Sequence, residues 1–347
     1  MTPLARLTPL TALAREEPLT FAGARVALGQ TAELRLKVAE SYTAEPVTVP
    51  VTVVRGTPGP TVFVTATVHG DELNGVGILR SLLNDTDFAG LRGTLIAVPV
   101  ANVPGFLNRD RLLPDRRDLN RSFPGRSRGS LTARLAEMLF REVVRKSDFG
   151  IDLHTAGGER TNYPQIRADL AAPGVAELAQ AFGCPLVIDG AGPEKSLRRT
   201  AVAAGVPTIV YEAGSAHRLE RPFISVGIAG VLNVLRHLGM MPGEAHRPPL
   251  RLTVEHTHWI RSRTGGILDL KVDLGQPLRR GQAISVNTNP FGREKRQLKA
   301  PYAGIVLGLT QLPLVHPGDP VCNLARVDPG DIEAWGEHWR QNGRIRP

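Results

Sequence analysis

The chain has 347 residues, of which 42% are hydrophobic and 22% are charged, and its formal net charge is +9. This length predicts more than one domain, and the composition is typical of a globular protein rather than a disordered or fibrous one. No apolar run approaches the roughly 18 residues that a membrane-spanning helix requires, so we expect no membrane partner.

Two features of the chain indicate its compartment. Pro3 and Pro9 interrupt the apolar residues at the N-terminus, which argues against a cleaved signal peptide. Cys184 and Cys322 are the two cysteines, too few for a disulfide framework, which favours a reducing environment. We therefore expect a cytoplasmic protein.

The first strong strand signal is the apolar run that ends at Val68, after short β-like runs between residues 20 and 55. A helical apolar pattern begins directly after it, at Leu73. His69 and Glu72 lie between the two, where an α/β sheet places its ligands. An imidazole and a carboxylate at this junction predict a metal site, although a loop histidine and a helix-capping glutamate explain the same pair.

Strand and helix signals then alternate along the chain. An apolar strand at residues 93–100 is followed by a long polar segment, 101–130, which contains enough apolar residues to pack. Ser130 is positioned to cap a helix, and further strands are predicted at residues 149–154, 185–189 and 207–212, with helices between them and after them to residue 238. The alternation predicts an α/β fold with a mixed, mostly parallel sheet and helices on both faces.

The composition changes at residues 241–249, which read as a linker, and the helical periodicity disappears beyond it. Two similar segments, at 265–268 and 303–306, are about 37 residues apart and indicate a small all-β sandwich. We predict an α/β catalytic domain at residues 1–245, a C-terminal β domain at 250–330, and a tail at 331–347.

His154 and Glu212 each end a predicted strand. Two imidazoles and one carboxylate (His69, Glu72 and His154) leave one tetrahedral position of zinc open for a water molecule, which is the arrangement of a hydrolase. Asp152 shares a strand face with His154 and is placed to orient that imidazole, or is a plain strand-end acid. Glu212 suits a general base, or is likewise a strand-end carboxylate.

The long polar segment carries arginines close together in sequence, which could contact nucleic acid or line a pocket for a small anion. Few aromatic residues lie among them, so we favour the pocket and predict no nucleic-acid partner. Asn120 and Arg121 are candidates for binding an anionic substrate, because a guanidinium binds a carboxylate through two parallel hydrogen bonds. The arginines concerned are Arg109, Arg111, Arg116, Arg117, Arg121, Arg126 and Arg128.

Five motifs in this order resemble the succinylglutamate desuccinylase and aspartoacylase family, a branch of the zinc carboxypeptidase superfamily. The resemblance covers roughly residues 20–330. Its motifs are Val-His-Gly-Asp-Glu-Leu-Asn-Gly at 68–75, Asn-Val-Pro-Gly-Phe at 102–106, Arg-Asp-Leu-Asn-Arg-Ser-Phe-Pro-Gly at 117–125, Asp-Leu-His-Thr at 152–155 and Glu-Ala-Gly at 212–214.

The resemblance implies a role for each candidate residue. It implies His69, Glu72 and His154 as ligands of one zinc ion per chain. Glu212 would be the general base and acid, and Asn120 with Arg121 would bind the α-carboxylate of the substrate.

The resemblance also suggests Arg111 as the residue that polarises the scissile carbonyl, although Asp115-Arg-Arg-Asp118 departs from the family pattern and Arg109 competes for that role. A phenolic acid assists in some relatives, and Tyr302 or Tyr211 could supply one.

His256 and His258 lie two residues apart, and on a strand they would share a face and could bind a metal. A half-exposed strand explains them without a metal. We expect the remaining histidines to be structural.

These residues together predict a zinc-dependent amidohydrolase that removes the acyl group from an N-acyl amino acid or a similar small anionic amide. A zinc carboxypeptidase acting on short peptides is the nearer alternative, and a binding protein that kept the fold without activity is the farther one. The sequence is compatible with a homo-oligomer and does not define the acyl group.

Overall fold

A computed structural model describes residues 18–41, 43–246, 248–293 and 295–342. The predictions about the first 17 residues, and about the last five residues of the tail, lie outside these ranges. No helix in the described part of the chain is long and apolar enough to cross a membrane.

Nineteen strands are found in the described residues. They are β1 (Leu19–Phe21), β2 (Ala24–Val26), β3 (Thr31–Glu40), β4 (Pro46–Arg55), β5 (Thr57–Ala66), β6 (Arg92–Val98), β7 (Phe149–His154), β8 (Arg160–Ala168), β9 (Leu186–Asp189), β10 (Thr208–Ser215), β11 (Leu252–Val254), β12 (Thr257–Arg261), β13 (Gly266–Leu270), β14 (Pro277–Leu278), β15 (Ala283–Thr288), β16 (Arg296–Lys299), β17 (Gly304–Thr310), β18 (Leu314–Val315) and β19 (Pro320–Arg326).

Seven α-helices connect or follow the strands, again among the described residues. They are α1 (Asn74–Asp85), α2 (Val103–Asn108), α3 (Leu131–Glu142), α4 (Val175–Phe182), α5 (Leu197–Ala203), α6 (Arg221–His237) and α7 (Pro329–Asn342). Ser130 caps α3 as predicted, because its side chain accepts a hydrogen bond from the amide of Ala133. Two short 3-10 turns lie at Leu119–Arg121 and Val144–Lys146.

Thirteen strands form one mixed sheet. Its centre is parallel, with β6, β5, β7 and β10 side by side in that order. Antiparallel strands extend it on both sides: β4 and β3 lie beyond β6, and β8 lies beyond β10. The predicted α/β fold is confirmed, and its parallel pairing is concentrated in the strands that precede the candidate site residues.

Helices cover both faces of this sheet, because the central strands are apolar on both sides. The apolar side chains of α1, α4 and α6 belong to one buried cluster, which includes Leu79, Leu178 and Val231. Those of α3 and α5 belong to a second cluster, which includes Leu139 and Leu197.

The C-terminal β region has two parts. Strands β17, β19 and β12 continue the large sheet outward from β8, while β16, β15, β13 and β18 form a separate four-stranded sheet. The large sheet is therefore shared by the two predicted domains, and the boundary at residues 245–250 stays a prediction.

Two elements differ from the sequence-based expectation. Strand β8 carries polar residues and Pro164, so its apolar alternation was too weak to predict a strand. The expected C-terminal tail contains helix α7, which buries the ring of Trp335 completely and donates its indole N–H to the carbonyl of Gly275.

Candidate active site

The candidate site lies at the carboxyl ends of the parallel strands β5 and β7 and beside Glu212 of β10. The prediction that Glu212 ends its strand is wrong, because β10 continues to Ser215. His154 is directly opposite Glu212 in the register of β7 and β10, so the two predicted strand-end residues are neighbours. Thr67 has a φ of 54°, which an L-residue adopts only under strain, and it turns the chain out of β5 two residues before His69. The structure thereby brings three separate parts of the sequence to one edge of the sheet.

His69, Glu72 and His154 form a buried cluster whose potential ligand atoms all lie within 4.8 Å of one another. Glu72 is at its centre: Oε1 lies 2.7 Å from Nδ1 of His69, and Oε2 lies 2.7 Å from Nδ1 of His154. The backbone amide of Thr155 also donates to Oε2, at 3.1 Å. We refer to these three side chains as the His-Glu-His cluster.

The charges of the cluster shift the pKa values of all three side chains. Burial acts to raise the pKa of Glu72, but His69 and His154 outweigh it and hold that pKa well below its usual range. Burial acts to lower the pKa of both histidines. The nearby carboxylates outweigh this effect and raise both pKa values, that of His154 strongly.

Each imidazole contacts a second carboxylate through its other nitrogen. Nε2 of His154 lies 2.7 Å from Asp152, which also accepts a hydrogen bond from Thr65 at 2.8 Å. Nε2 of His69 lies 3.2 Å from Asp118. Asp118 was missed as a site residue, although it lies in the Asp-Leu-Asn-Arg motif, because the sequence does not show which way its carboxylate points.

Arg111 lies beside the cluster and Arg109 does not. The guanidinium of Arg111 spans two carboxylates, with Nη1 3.2 Å from Glu72 and Nη2 3.3 Å from Asp118. Arg109 is exposed in the left-handed conformation that ends α2. Of the two competing arginines, Arg111 is therefore the one next to the cluster.

A cavity of about 380 Å³ opens beside the cluster, and we call it the site cavity. His69, Glu72, His154, Arg111, Asn120, Arg121 and Glu212 all line it. Thus the three candidate metal ligands, Glu212, Arg111 and the Asn120-Arg121 pair all face one space. The side-chain oxygen of Asn120 accepts a hydrogen bond from the amide of Leu197 at 2.9 Å, which anchors the start of α5 to this wall.

Several lining residues were not predicted. Trp259 and Asn323 reach the site cavity from the C-terminal β region, and Arg160 lies 5.4 Å from the centre of the Trp259 ring. Arg167 forms an ion pair with Glu212. These residues lie in no recognisable sequence motif. Strand β8 was not predicted, and its pairing with β17 brings together segments that are far apart in the sequence.

Arg198, at the start of α5, is 6% exposed, and its Nη1 has no hydrogen-bond partner among the described residues. Burial lowers its pKa to about 10, and the positive charge of Arg167 acts in the same direction. A buried guanidinium without a full set of partners is costly, which is typical of a side chain that faces a ligand site.

The two tyrosines named as potential acids do not line the site cavity. The hydroxyl of Tyr302 donates to the carbonyl of Leu324, and that of Tyr211 is buried and donates to the carbonyl of Phe223. His256 and His258 line an adjoining cavity of about 310 Å³, which shares Arg167 and Arg198 with the site cavity, and they belong to no three-ligand group in the described part of the chain. A larger cavity of about 830 Å³, between β3, β4 and α2, contains none of the predicted site residues.

The His-Glu-His cluster fits a zinc ion by the chemistry of its donors. Two imidazole nitrogens and one carboxylate are a ligand set of catalytic zinc sites. Carboxylates on the second nitrogens, here Asp152 and Asp118, are the partners that usually fix the orientation of ligand histidines. The cluster is also buried, apart from its side toward the site cavity.

Comparison with known proteins defines the class. The family model for the succinylglutamate desuccinylase/aspartoacylase catalytic domain matches residues 58–238, just over half of the chain. The chain therefore belongs to this family of deacylases. The matched range contains the His-Glu-His cluster, Asn120, Arg121 and Glu212.

The individual relatives share between 25% and 29% of their residues with this chain. The N-alpha-acetyl-L-2,4-diaminobutyric acid deacetylase of Halomonas elongata is 29% identical over 295 residues, which are 81% of this chain and 86% of that protein. Among solved structures, the product-bound ectoine utilization protein EutE (DoeB) of Ruegeria pomeroyi is 25% identical, with a TM-score of 0.78 over 87% of this chain and 98% of its own. A succinylglutamate desuccinylase/aspartoacylase from Rhodobacter sphaeroides is 26% identical, with a TM-score of 0.76 over 86% and 96%.

Proposed function

We propose that this protein is a zinc-dependent amidohydrolase that removes the acyl group from small N-acyl amino acids. The observation that carries the proposal is that Glu212 and the His-Glu-His cluster line the same cavity. A metal site alone is compatible with a structural role, whereas an ionisable carboxylate that shares its cavity is suited to proton transfer.

His69, Glu72 and His154 would hold one zinc ion per chain. Zinc bound there would supply Lewis acidity and lower the pKa of a water molecule to about 7. Asp152 and Asp118 would keep the imidazole rings in the orientation that ligation requires.

The chain itself supplies the remaining chemistry. Glu212 accepts the proton of the attacking water and passes it to the leaving amine, which becomes a good leaving group when it is protonated. Arg111 donates to the carbonyl oxygen as negative charge develops on it. Asn120 and Arg121 bind the α-carboxylate and fix the amide relative to Glu212.

The charge of the site cavity supports an anionic substrate. Five arginines among its described lining residues face two carboxylates, Glu72 and Glu212. These arginines are Arg111, Arg121, Arg160, Arg167 and Arg198. The name of the Halomonas relative describes a deacetylase of an N-acetyl amino acid, which agrees with an N-acyl amino acid as the substrate class.

The size of the site cavity favours a deacylase over a carboxypeptidase. Trp259 and Asn323 from the C-terminal β region form part of its wall, and its volume of about 380 Å³ suits a small molecule.

The experiment that tests this proposal is the substitution Glu212→Gln, which keeps the shape of the side chain and removes its basicity. We expect kcat on N-acyl amino acids to fall by about 10² to 10⁴ with the zinc content unchanged. Glu159→Gln, at an exposed position outside the site cavity, is the matched control and should retain full activity. Wild-type turnover by the Glu212→Gln protein would show that the base is another residue.

A further inference from the structure

Glu212 is held from one side by the neighbouring strand β8. Gln165 lies directly opposite Glu212 in the antiparallel register of β8 and β10, and Arg167 lies opposite Val210, two residues earlier. Residues two apart on a strand share a face, so Arg167 and Gln165 lie on the same face as Glu212.

Arg167 makes the one contact with this carboxylate, by hydrogen bond or ion pair, that is found among the described residues. Its Nε approaches Oε2 of Glu212 as an ion pair, without the geometry of a hydrogen bond. The side chains are 34% and 18% exposed, respectively, so the pair is only partly screened by water. Oε1 of Glu212 has no such partner in the described part of the chain.

Among the described residues, Glu212 has no second hydrogen-bond or ion-pair partner, although the positive charge of Arg198 also acts on it. The side chain of Gln165 is completely buried, and neither of its amide atoms has a hydrogen-bond partner among the described residues. Arg198 lines the site cavity with Arg167, but no bond joins it to Glu212. Without Arg167 no direct contact would fix the terminal torsion of the carboxylate, which is broad for glutamate.

We propose that Arg167 is a positioning residue that holds the Glu212 carboxylate through Oε2 and leaves Oε1 available for the proton that moves during hydrolysis. This inference rests on the proposed function, because it assumes that Glu212 is the base. Arg167 acts through Glu212 and has no contact of its own with the scissile amide.

The substitution Arg167→Gln tests the inference. Loss of the ion pair should lower kcat by about 10- to 100-fold, since small misplacements of a reacting group have effects of that size. KM should change by less than about threefold, because the charge of Arg167 is paired with Glu212 and four other arginines of the site cavity remain for the substrate. Arg167→Lys keeps the positive charge and should recover part of the lost kcat, whereas Arg199→Gln, an exposed arginine on α5, is the control for loss of one charge.

A double-mutant cycle with Glu212→Gln distinguishes positioning from other roles. If Arg167 acts only through Glu212, the double variant should be no slower than Glu212→Gln alone, within about twofold. Multiplicative losses would overturn the inference, as would a rise in KM with kcat retained, which is the result for a substrate-binding arginine. The inference would also be overturned if Arg167→Gln lost its zinc together with its activity and Arg167→Lys recovered neither.

Crystal structures of wild type, Arg167→Gln and Arg199→Gln supply a readout that does not depend on turnover. We expect the Glu212 carboxylate to leave its wild-type position only in Arg167→Gln, and an unchanged Glu212 there would contradict the inference. If wild type hydrolyses no N-acyl amino acid, the proposed function fails, while these structures still decide whether Arg167 orients Glu212.

Discussion

Asp152 is the completely buried residue that fixes one imidazole of the His-Glu-His cluster. We predict that Asp152→Asn lowers zinc affinity by about 10- to 100-fold, because an amide is a weaker acceptor for the ring N–H of His154 than a carboxylate is. Competition between the protein and a chelator measures the affinity. Asp85→Asn, an exposed position at the end of α1, should bind zinc as wild type does, and equal affinity in both variants would contradict the role of Asp152.

The two cysteines provide a prediction about pH. Burial raises the pKa of the Cys184 thiol to about 12, and that of Cys322 to about 12 as well. The thiolate is the reactive form, so at pH 8, well below both values, nearly all of each thiol stays protonated and unreactive. A colorimetric thiol assay at pH 8 should detect no reactive thiol in the folded protein and two in denaturant. One equivalent from the folded protein would contradict the burial of both.

At the same scale, sequence reasoning found the residues that end apolar strands or lie in motifs. His69, His154 and Glu212 were recognisable because a polar side chain follows an apolar run. Arg167, Arg198 and Asn323 were not, because their place in the site depends on which strands and helices pair in space. A single sequence does not encode that pairing in any local pattern.

At the scale of elements, the contact between α1 and the sheet sets the distance between Glu72 and the two histidines. Gly75 lies in the first turn of α1, and a Cβ there would be 2.6 Å from Cβ of Ala66 and 3.0 Å from Cβ of Leu153. Neither of these atoms can rotate away, since each is fixed to a strand backbone.

We therefore predict that Gly75→Ala destabilises the protein by about 1–2 kcal/mol net, because contacts as short as these place the overpacking cost at about 2–3 kcal/mol, the upper part of its usual range. The gain in helix propensity, about 1 kcal/mol, offsets only part of the steric loss. Thermal unfolding measures the change. Gly90→Ala is the control, because nothing lies within 4 Å of its added Cβ, and an equal Tm in the two variants would contradict the account.

The elements that could be predicted are those with apolar periodicity and end signals. Helix α3 follows its capping Ser130, and α4 ends at Gly183, which has a positive φ of 83° as expected of a C-terminal glycine. Strand β8 and helix α7 were missed because their buried faces are polar or are built around a few aromatic rings. Their packing comes from tertiary contacts, which local propensity does not report.

At the scale of the whole molecule, the site cavity is shared between the central sheet and the C-terminal β region. Trp259 lies on β12, which β19, β17 and β8 separate from β10 in the order of the sheet, and it lines the site cavity. The C-terminal region therefore shapes the space that a substrate can occupy.

We predict that Trp259→Ala raises KM for small N-acyl amino acids by about tenfold, equivalent to about 1.4 kcal/mol of lost contact. Hydrolysis of longer amides such as N-acyl dipeptides should rise relative to wild type, because the wall is removed. Steady-state kinetics on both substrate classes measures this. Phe291 is an 83% exposed aromatic residue that does not line the site cavity, so Phe291→Ala should leave the kinetics on both substrate classes unchanged. An unaltered KM in Trp259→Ala would contradict the role of Trp259 as a wall.

The central claim, that one zinc ion at the His-Glu-His cluster supports deacylation, is tested most directly by titrating the metal-free protein with zinc while following hydrolysis of a panel of N-acyl amino acids. The account predicts that activity rises from zero and reaches its plateau at one zinc ion per chain. Full activity without zinc, or no hydrolysis of any N-acyl amino acid when the protein is fully loaded, would contradict it.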